Sequence, residues 1–156
     1  MKPFLSVIMP MFNEERNLER GVLDEVENYL KQKKFTSEVI ISDDGSTDQS
    51  ASFVNKYVKT HSRFKLLRNP HAGKPFAVRS GIKASNGEIV LFTDMDQSTP
   101  LREVEKLLPF FEKNDVVIGS RGQTRRGFSF FRLLASNVFR IFRQIILLPG
   151  ITDTQC

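Results

Sequence analysis

The sequence predicts an α/β domain on a mostly parallel sheet flanked by helices, and three observations carry that prediction. Short continuous apolar runs alternate with stretches of helical periodicity through most of the 156 residues, the order expected of successive βαβ units. The runs lack polar alternation, as strands buried on both faces do. Most of them end in Asp, Asn, Ser or Gly, so chemistry-bearing residues gather outside the carboxyl ends of the strands, where open α/β sheets bind ligands.

Taken in order, residues 5–9, 38–42, 64–68, 88–93 and 115–120 read as five strands, each rich in Val, Ile, Leu or Phe and too short for a helix. Pro10 is expected to end the first. Residues 15–33, 47–60, 75–84 and 100–112 read as the intervening helices. Ser46 is placed to cap the second of these, and Thr99-Pro100 to open the fourth, with Thr accepting from exposed amides and Pro occupying the first turn. The Gly- and Arg-rich segment 119–127 reads as a ligand loop. Along 128–148, Arg132, Ser136, Arg140 and Arg143 form a polar stripe on a helix otherwise crowded with Phe130, Phe131, Phe139 and Phe142. Such a helix suits a membrane interface and equally suits packing on the sheet with its Arg directed outwards.

Bulk properties bound the reading. A composition of 40% hydrophobic and 26% charged residues is that of one globular domain with a single core. No run reaches the roughly 18 uncharged apolar residues that span a bilayer, and the first twelve residues read as a strand rather than a secretion signal. The one cysteine, Cys156, allows no intrachain disulfide and points to a reducing compartment. The net charge of +5 is local: six Arg and no acid lie within 116–152, leaving 17 basic residues against 18 acids elsewhere. That asymmetry points to an anionic partner surface near the C-terminus and away from nucleic acid.

Four loops carry the motifs. Asp43-Asp44-Gly45-Ser46-Thr47-Asp48 follows the second strand, and its adjacent carboxylates suit either a ribose and base or a capped Asx-type turn. Asp94-Met95-Asp96 follows the fourth strand, where carboxylates two apart can converge on a hard cation such as Mg2+ or Mn2+ that bridges a diphosphate. Pro10-Met11-Phe12-Asn13-Glu14-Glu15 places Asn13 and Glu14 at the mouth of the crevice, as nucleoside contacts or as helix caps. In Asn69-Pro70-His71-Ala72-Gly73-Lys74 a Gly-Lys pair precedes a helix, a geometry suited to phosphate and also common in plain turns, while His71 is within reach of a ligand but reads more readily as a surface residue.

Together these motifs, with Gly81-Ile82, Gly119-Ser120-Arg121 and Asp153-Thr154-Gln155-Cys156, resemble the family 2 glycosyltransferases of the GT-A (Rossmann-like) fold. Within them the chain is most similar to the polyprenyl-phosphate sugar transferases, the group of the dolichyl-phosphate glucosyl- and mannosyltransferases. The resemblance implies a metal-dependent, inverting hexosyltransferase that moves a sugar from a nucleotide-diphosphate sugar to a polyprenyl phosphate. It implies that Pro10, Phe12, Asn13, Glu14, Asp43, Asp44, Lys74 and Asp94 bind the nucleotide. Asp94 and Asp96 would hold Mg2+ or Mn2+, Asp96 being catalytic, while Arg121 and Arg132 would hold the lipid phosphate. Asp153 stands as an additional catalytic or orienting carboxylate.

The same resemblance divides the chain into a nucleotide-sugar-binding part, 1–120, and an acceptor loop and amphipathic helix, 121–156, within one domain. It implies a peripheral location on the cytosolic face of a membrane. Mannose synthases commonly carry Gln where Ser98 stands, and that Gln helps the metal, so Ser98 leaves metal coordination and nucleotide choice open; the likeness to the glucosyl branch favours a UDP-sugar over a GDP-sugar. The family continues through Gly-Phe beyond a Cys such as Cys156, so the chain reads as truncated there. Two other readings stay open: a nucleotide-binding module without turnover, and a transferase that uses a hydroxyl acceptor.

Overall fold

The structure, a computed structural model, describes residues 2–119. The chain divides into two compact units, Met1–Arg102 and Glu103–Cys156. The first holds a four-stranded sheet in the order β3-β2-β1-β4. Its strands are β1 (Leu5–Met11), β2 (Ser37–Asp43), β3 (Phe64–Arg68) and β4 (Ile89–Phe92), and every pairing is parallel. All seven residues of β1 are buried, as its unbroken apolarity requires.

β1 runs two residues further than predicted, through Pro10, whose Cα lies in register with Ser42. The reason is which side needs the missing amide. Phe4 and Ile8 accept from the Ile89 and Thr93 amides, so even positions of β1 face β4. β4 pairs no further along β1 than Ile8, and the Pro10 nitrogen lies on the side where no ladder bond is demanded. The two strands part there.

The long first helix is two helices, α1 (Glu15–Glu19) and α2 (Val22–Lys31), broken at Gly21, whose φ of 89° lies in the left-handed region. The second, α3 (Ser50–Tyr57), starts three residues later than predicted. Ser46 does not cap it; Ser46 Oγ accepts the Asn13 amide, and Asp48 Oδ1 accepts that of Ser50. α4 (Lys74–Ala84) agrees with the prediction, with Pro75 in its first turn. It packs so closely on β1 that a Cβ added to Gly81 would stand 2.4 Å from Ile8 Cγ2.

Two predictions fail. Residues 115–119 form no strand; Val116 is 79% exposed. An apolar run becomes a strand only where a neighbour takes up its backbone groups. Ser120, the last residue of that predicted strand, lies outside the described residues. The helix read at 100–112 is three short pieces: 3-10 turns at Leu101–Glu103 and Leu108–Glu112 around the single-turn α5 (Val104–Leu107). Pro109 withholds an amide in mid-segment, and Gln97 Oε1, in place of Thr99, accepts the Leu101 amide.

Candidate active site

Strand order reverses at β1, with β2 and β3 on one side and β4 on the other. Such a reversal opens a crevice at the carboxyl ends of the strands. A cavity of about 310 Å³ occupies it, walled by residues from the loops after β1, β2, β3 and β4. Pro10, Phe12, Glu14, Asp44, Lys74, Asp94 and Asp96, seven of the predicted site residues, line it.

One wall is aromatic. Phe12, 42% exposed, stacks on His71 with ring centroids 4.4 Å apart and planes 22° from parallel. His71 Nδ1 lies 3.0 Å from Asp44 O and 2.8 Å from Asp44 Oδ2, both acceptors, so that nitrogen carries the proton. Gly45 makes the approach feasible: its φ is 77°, and a Cβ there would stand 3.0 Å from His71 N. His71, read from sequence as a surface residue, is exposed and also forms part of the wall. Nothing local in the sequence reveals that, because the stack joins positions 59 residues apart.

Asp43 and Asp44 have separate tasks. Asp44 is buried, and its carboxylate accepts the amides of Ala72, at 2.9 Å, and Gly73, at 2.9 and 3.1 Å, fixing the loop that leads into α4. Asp43 is fully buried and does not belong to the cavity lining. Its Oδ1 accepts the Ser46 amide at 3.0 Å. Arg68 Nε stands 3.2 Å from Oδ2, yet Oδ2 accepts no hydrogen bond, since charge proximity does not require an N–H aimed at the oxygen. A buried acceptor left open beside a ligand crevice suits a donor brought by the ligand.

Asn13 is also absent from the cavity lining. It adopts a left-handed φ of 54°, and its Oδ1 accepts the amides of Thr47, at 2.9 Å, and Asp48, at 3.3 Å. It therefore stitches the loop after β1 to the loop after β2. Glu14 lines the cavity with Oε2 held by Asn17 Nδ2 at 2.6 Å and its amide held by Ser50 Oγ at 2.8 Å. Asp48, behind these loops, has its carboxyl held below the usual range: burial works against ionisation, and bonds from the Ser50 hydroxyl and amide and the Glu15 amide outweigh it.

The acidic loop is shaped by its middle residue. Met95 is 1% exposed, and anchoring it turns both flanking aspartates outwards. Asp94 pairs with Lys74 Nζ, and Asp96 Oδ1 accepts the Ser98 amide at 2.9 Å. Two residues that sequence reasoning passed over hold the loop. Gln97, at a left-handed φ of 51°, donates to Asp94 O at 2.9 Å and to Thr93 Oγ1 at 3.4 Å. Arg20, beside the break between α1 and α2, donates to Asp96 O at 2.9 Å. Arg121, Arg132 and Asp153, with the helix predicted at 128–148, lie outside the described residues.

The oxygen set of Asp94 and Asp96 fits a hard divalent cation. Among the described residues, no three His, Cys, Asp or Glu side chains converge on a metal position, so two carboxylates would need further oxygens from a bound diphosphate and water. A family model described as glycosyl transferase family 2 matches residues 6–155. The chain belongs to glycosyltransferase family 2.

Among its members, dolichyl-phosphate beta-glucosyltransferases stand close. That of Dictyostelium discoideum is 37% identical over 98% of this chain and 52% of its own length, and that of Homo sapiens 35% identical over 97% and 52%. The chain thus spans about half the length of the curated relatives it matches. Solved structures agree on the fold. The mannosyltransferase PcManGT from Pyrobaculum calidifontis, in complex with GDP-Man and Mn2+, is 27% identical with a TM-score of 0.58, over 75% of this chain and 34% of that one. S. aureus TarS 1–349 in complex with UDP is 29% identical with a TM-score of 0.51, over 72% and 33%. The parallel sheet flanked by helices is the GT-A fold of glycosyltransferase family 2. Among the described residues no helix is long and apolar enough to cross a membrane.

Proposed function

We propose that the chain transfers a hexose from a nucleotide-diphosphate sugar to a polyprenyl phosphate such as dolichyl phosphate, with inversion. The observation that carries this reading is a crevice with an aromatic wall at one end and an acidic loop at the other. It is supported by 35–37% identity to dolichyl-phosphate beta-glucosyltransferases along nearly the whole chain. The base stacks against Phe12 and His71, and the open oxygen of Asp43 receives a donor from base or ribose. Glu14 borders the nucleoside, while Asn13 and Asp44 act at one remove by holding the loops that bring Phe12 and His71 together. Lys74, in the first turn of α4, receives the diphosphate.

Asp94 and Asp96 hold Mg2+ or Mn2+, which when bound neutralises charge on the diphosphate leaving group. The acceptor phosphate, with a second pKa of about 6, is largely ionised at neutral pH and needs little general-base help. It attacks the anomeric carbon from the face opposite the departing diphosphate. Arg121 and Arg132 are assigned to that acceptor because a guanidinium grips phosphate through two parallel bonds, and Asp153 is assigned an orienting role. UDP is favoured over GDP on the strength of the glucosyltransferase relatives. Residues 121–156 are assigned to the acceptor by their sequence, and their six Arg suit a peripheral seat on the cytosolic face of a membrane.

The test is calorimetric titration with UDP and GDP, with and without Mn2+, followed by transfer from UDP-glucose to a short polyprenyl phosphate. Expected are Mn2+-dependent binding of UDP and transfer. Nucleotide binding without transfer, also in a chain extended to the relatives' full length, would overturn the enzymatic reading. Equal rates with an acceptor that lacks the phosphate would move the assignment to a hydroxyl acceptor.

A further inference from the structure

Lys74 is the first residue of α4, and its ammonium pairs with Asp94 across the cavity that both line. The two ends of this pair are held differently. Gly73, immediately before Lys74, has its amide bound to both carboxylate oxygens of Asp44, so the backbone from which Lys74 springs is fixed. The ammonium sits on a four-carbon stem, in a side chain that is 56% exposed, and can reach more than one partner. Asp94 is 49% exposed and stands on a loop anchored by Met95 and Gln97. Asp96, two residues on, carries its charge with no ammonium on it among the described pairs.

A cation of the protein's own therefore sits on one of the two carboxylates that would bind a metal ion. Since no third protein ligand converges there among the described residues, a divalent ion entering alone would gain two carboxylates and meet the Lys74 charge. A diphosphate would change both conditions, because its oxygens could add to the two carboxylates and its negative charge would compete with Asp94 for Lys74.

We propose that Lys74 holds the metal's place on Asp94 until the nucleotide arrives, so that metal and nucleotide bind as a mutually dependent pair. The inference rests on the donor-pocket reading above and deepens it. Coupling of this kind is reciprocal: whatever factor UDP adds to Mn2+ affinity, Mn2+ adds to that of UDP.

The experiment follows the electron paramagnetic resonance signal of free Mn2+ during titration of the protein, with and without UDP, and needs no turnover. It compares wild type, Lys74→Gln, and Lys83→Gln, which removes the same charge from the exposed last turn of α4. Without nucleotide, Lys74→Gln is expected to bind Mn2+ about three- to tenfold tighter than wild type, the range for removing one half-screened positive charge, and Lys83→Gln to match wild type. The factor by which UDP tightens Mn2+ binding should shrink in Lys74→Gln. Mn2+ binding by Lys74→Gln that is no tighter than wild type without nucleotide would overturn the proposal, as would an equal gain in Lys83→Gln. If UDP and GDP leave Mn2+ affinity unchanged in wild type, the donor-pocket reading fails, while the comparison without nucleotide still judges the Lys74–Asp94 placeholder.

Discussion

At the amino-terminal edge of the sheet, buried Glu38 is met from three sides: Ser6 Oγ at 2.6 Å, Lys65 Nζ at 2.7 Å and the Asn86 amide at 2.7 Å. The Gly87 amide closes the network on Ser6 Oγ at 2.8 Å. At the carboxyl edge, Asp43 Oδ2 has the Arg68 charge nearby but no hydrogen bond, and the exposed Asp94 and Asp96 carry one ammonium and one turn amide between them, leaving further acceptor capacity. One edge saturates its carboxylate and the other leaves acceptors open. A saturated buried network stabilises and specifies the fold, whereas unmet acceptors are tolerated where a ligand supplies the missing donor or cation. The two edges should therefore separate stability from binding under mutation.

The largest expected effect is at the carboxyl edge. Asp96→Ala should abolish Mn2+-dependent nucleotide binding measured by calorimetry, while shifting unfolding free energy by no more than about 1 kcal/mol, the scale of one exposed turn bond. A variant that binds as wild type does would remove Asp96 from the metal site. Glu38→Ala should do the converse. It strips three donors of their acceptor and should lower stability in urea by about 2–3 kcal/mol, discounted for the 56% exposure of Lys65, with nucleotide affinity of the folded fraction retained. Loss of affinity with intact stability would dissolve the distinction between the edges.

Gly81→Ala tests the layer between them. The added Cβ meets Ile8 Cγ2 on β1, and overpacking of that kind costs about 1–3 kcal/mol. Because α4 carries Lys74 at its start, a small weakening of nucleotide binding should accompany the loss of stability. An unchanged unfolding midpoint would show that α4 shifts outwards without strain.

How far the sequence reveals each edge follows from the range of the interactions. The parallel sheet was legible because unbroken apolar runs and helical periodicity are local, and β1, β2 and β3 lie where those runs lie. The acidic loop was legible as a pattern, since an apolar residue between two aspartates after a buried strand turns the aspartates outwards. Partners distant in the chain were not legible. Arg20 reaches Asp96 across 76 residues, His71 reaches Asp44 across 27, and Gly87 reaches Ser6 across 81. Asn13 and Asp44 were expected to touch the nucleotide, yet their side chains are committed to neighbouring backbone amides, a use that composition does not distinguish from ligand binding. The missing strand at 115–119 has the same cause: strand propensity is local, but the partner that realises it is not.

Acid pH should divide the edges more gently. Glu38 has its carboxyl held below its ordinary value: burial opposes ionisation, and the Lys65, Ser6 and Asn86 bonds outweigh it. A depressed folded-state pKa contributes stability that is fully present above the unfolded value of about 4.5 and is lost as pH falls through the lower folded value. Asp48 contributes in the same sense, from its ordinary value of 3.8 downwards. Wild-type stability should therefore be flat in pH from these two groups above about 5 and decline below it. Glu38→Gln should start lower at neutral pH and decline less steeply in acid, because one of the two linked protons is gone. Chemical denaturation between pH 3 and pH 7 measures both slopes, and parallel curves for the two proteins would show that the closed network at Glu38 does not govern the acid limb.

The smallest effect is expected from Arg20→Ala. Arg20 binds a main-chain carbonyl at the surface, so its removal should leave the unfolding free energy within about 0.5 kcal/mol of wild type. Yet the carbonyl belongs to Asp96, and loosening it would free the acidic loop that carries both Asp94 and Asp96. Mn2+-dependent UDP affinity should fall by a few-fold, on the order of one lost surface hydrogen bond, while UDP affinity without metal is unchanged. Arg20→Lys, which retains a donor on a shorter reach, should recover part of the difference. If metal-dependent and metal-free affinities fall together, Arg20 acts on the nucleoside end instead, and the carboxyl edge is a single rigid rim, not an aromatic wall and an acidic loop held independently.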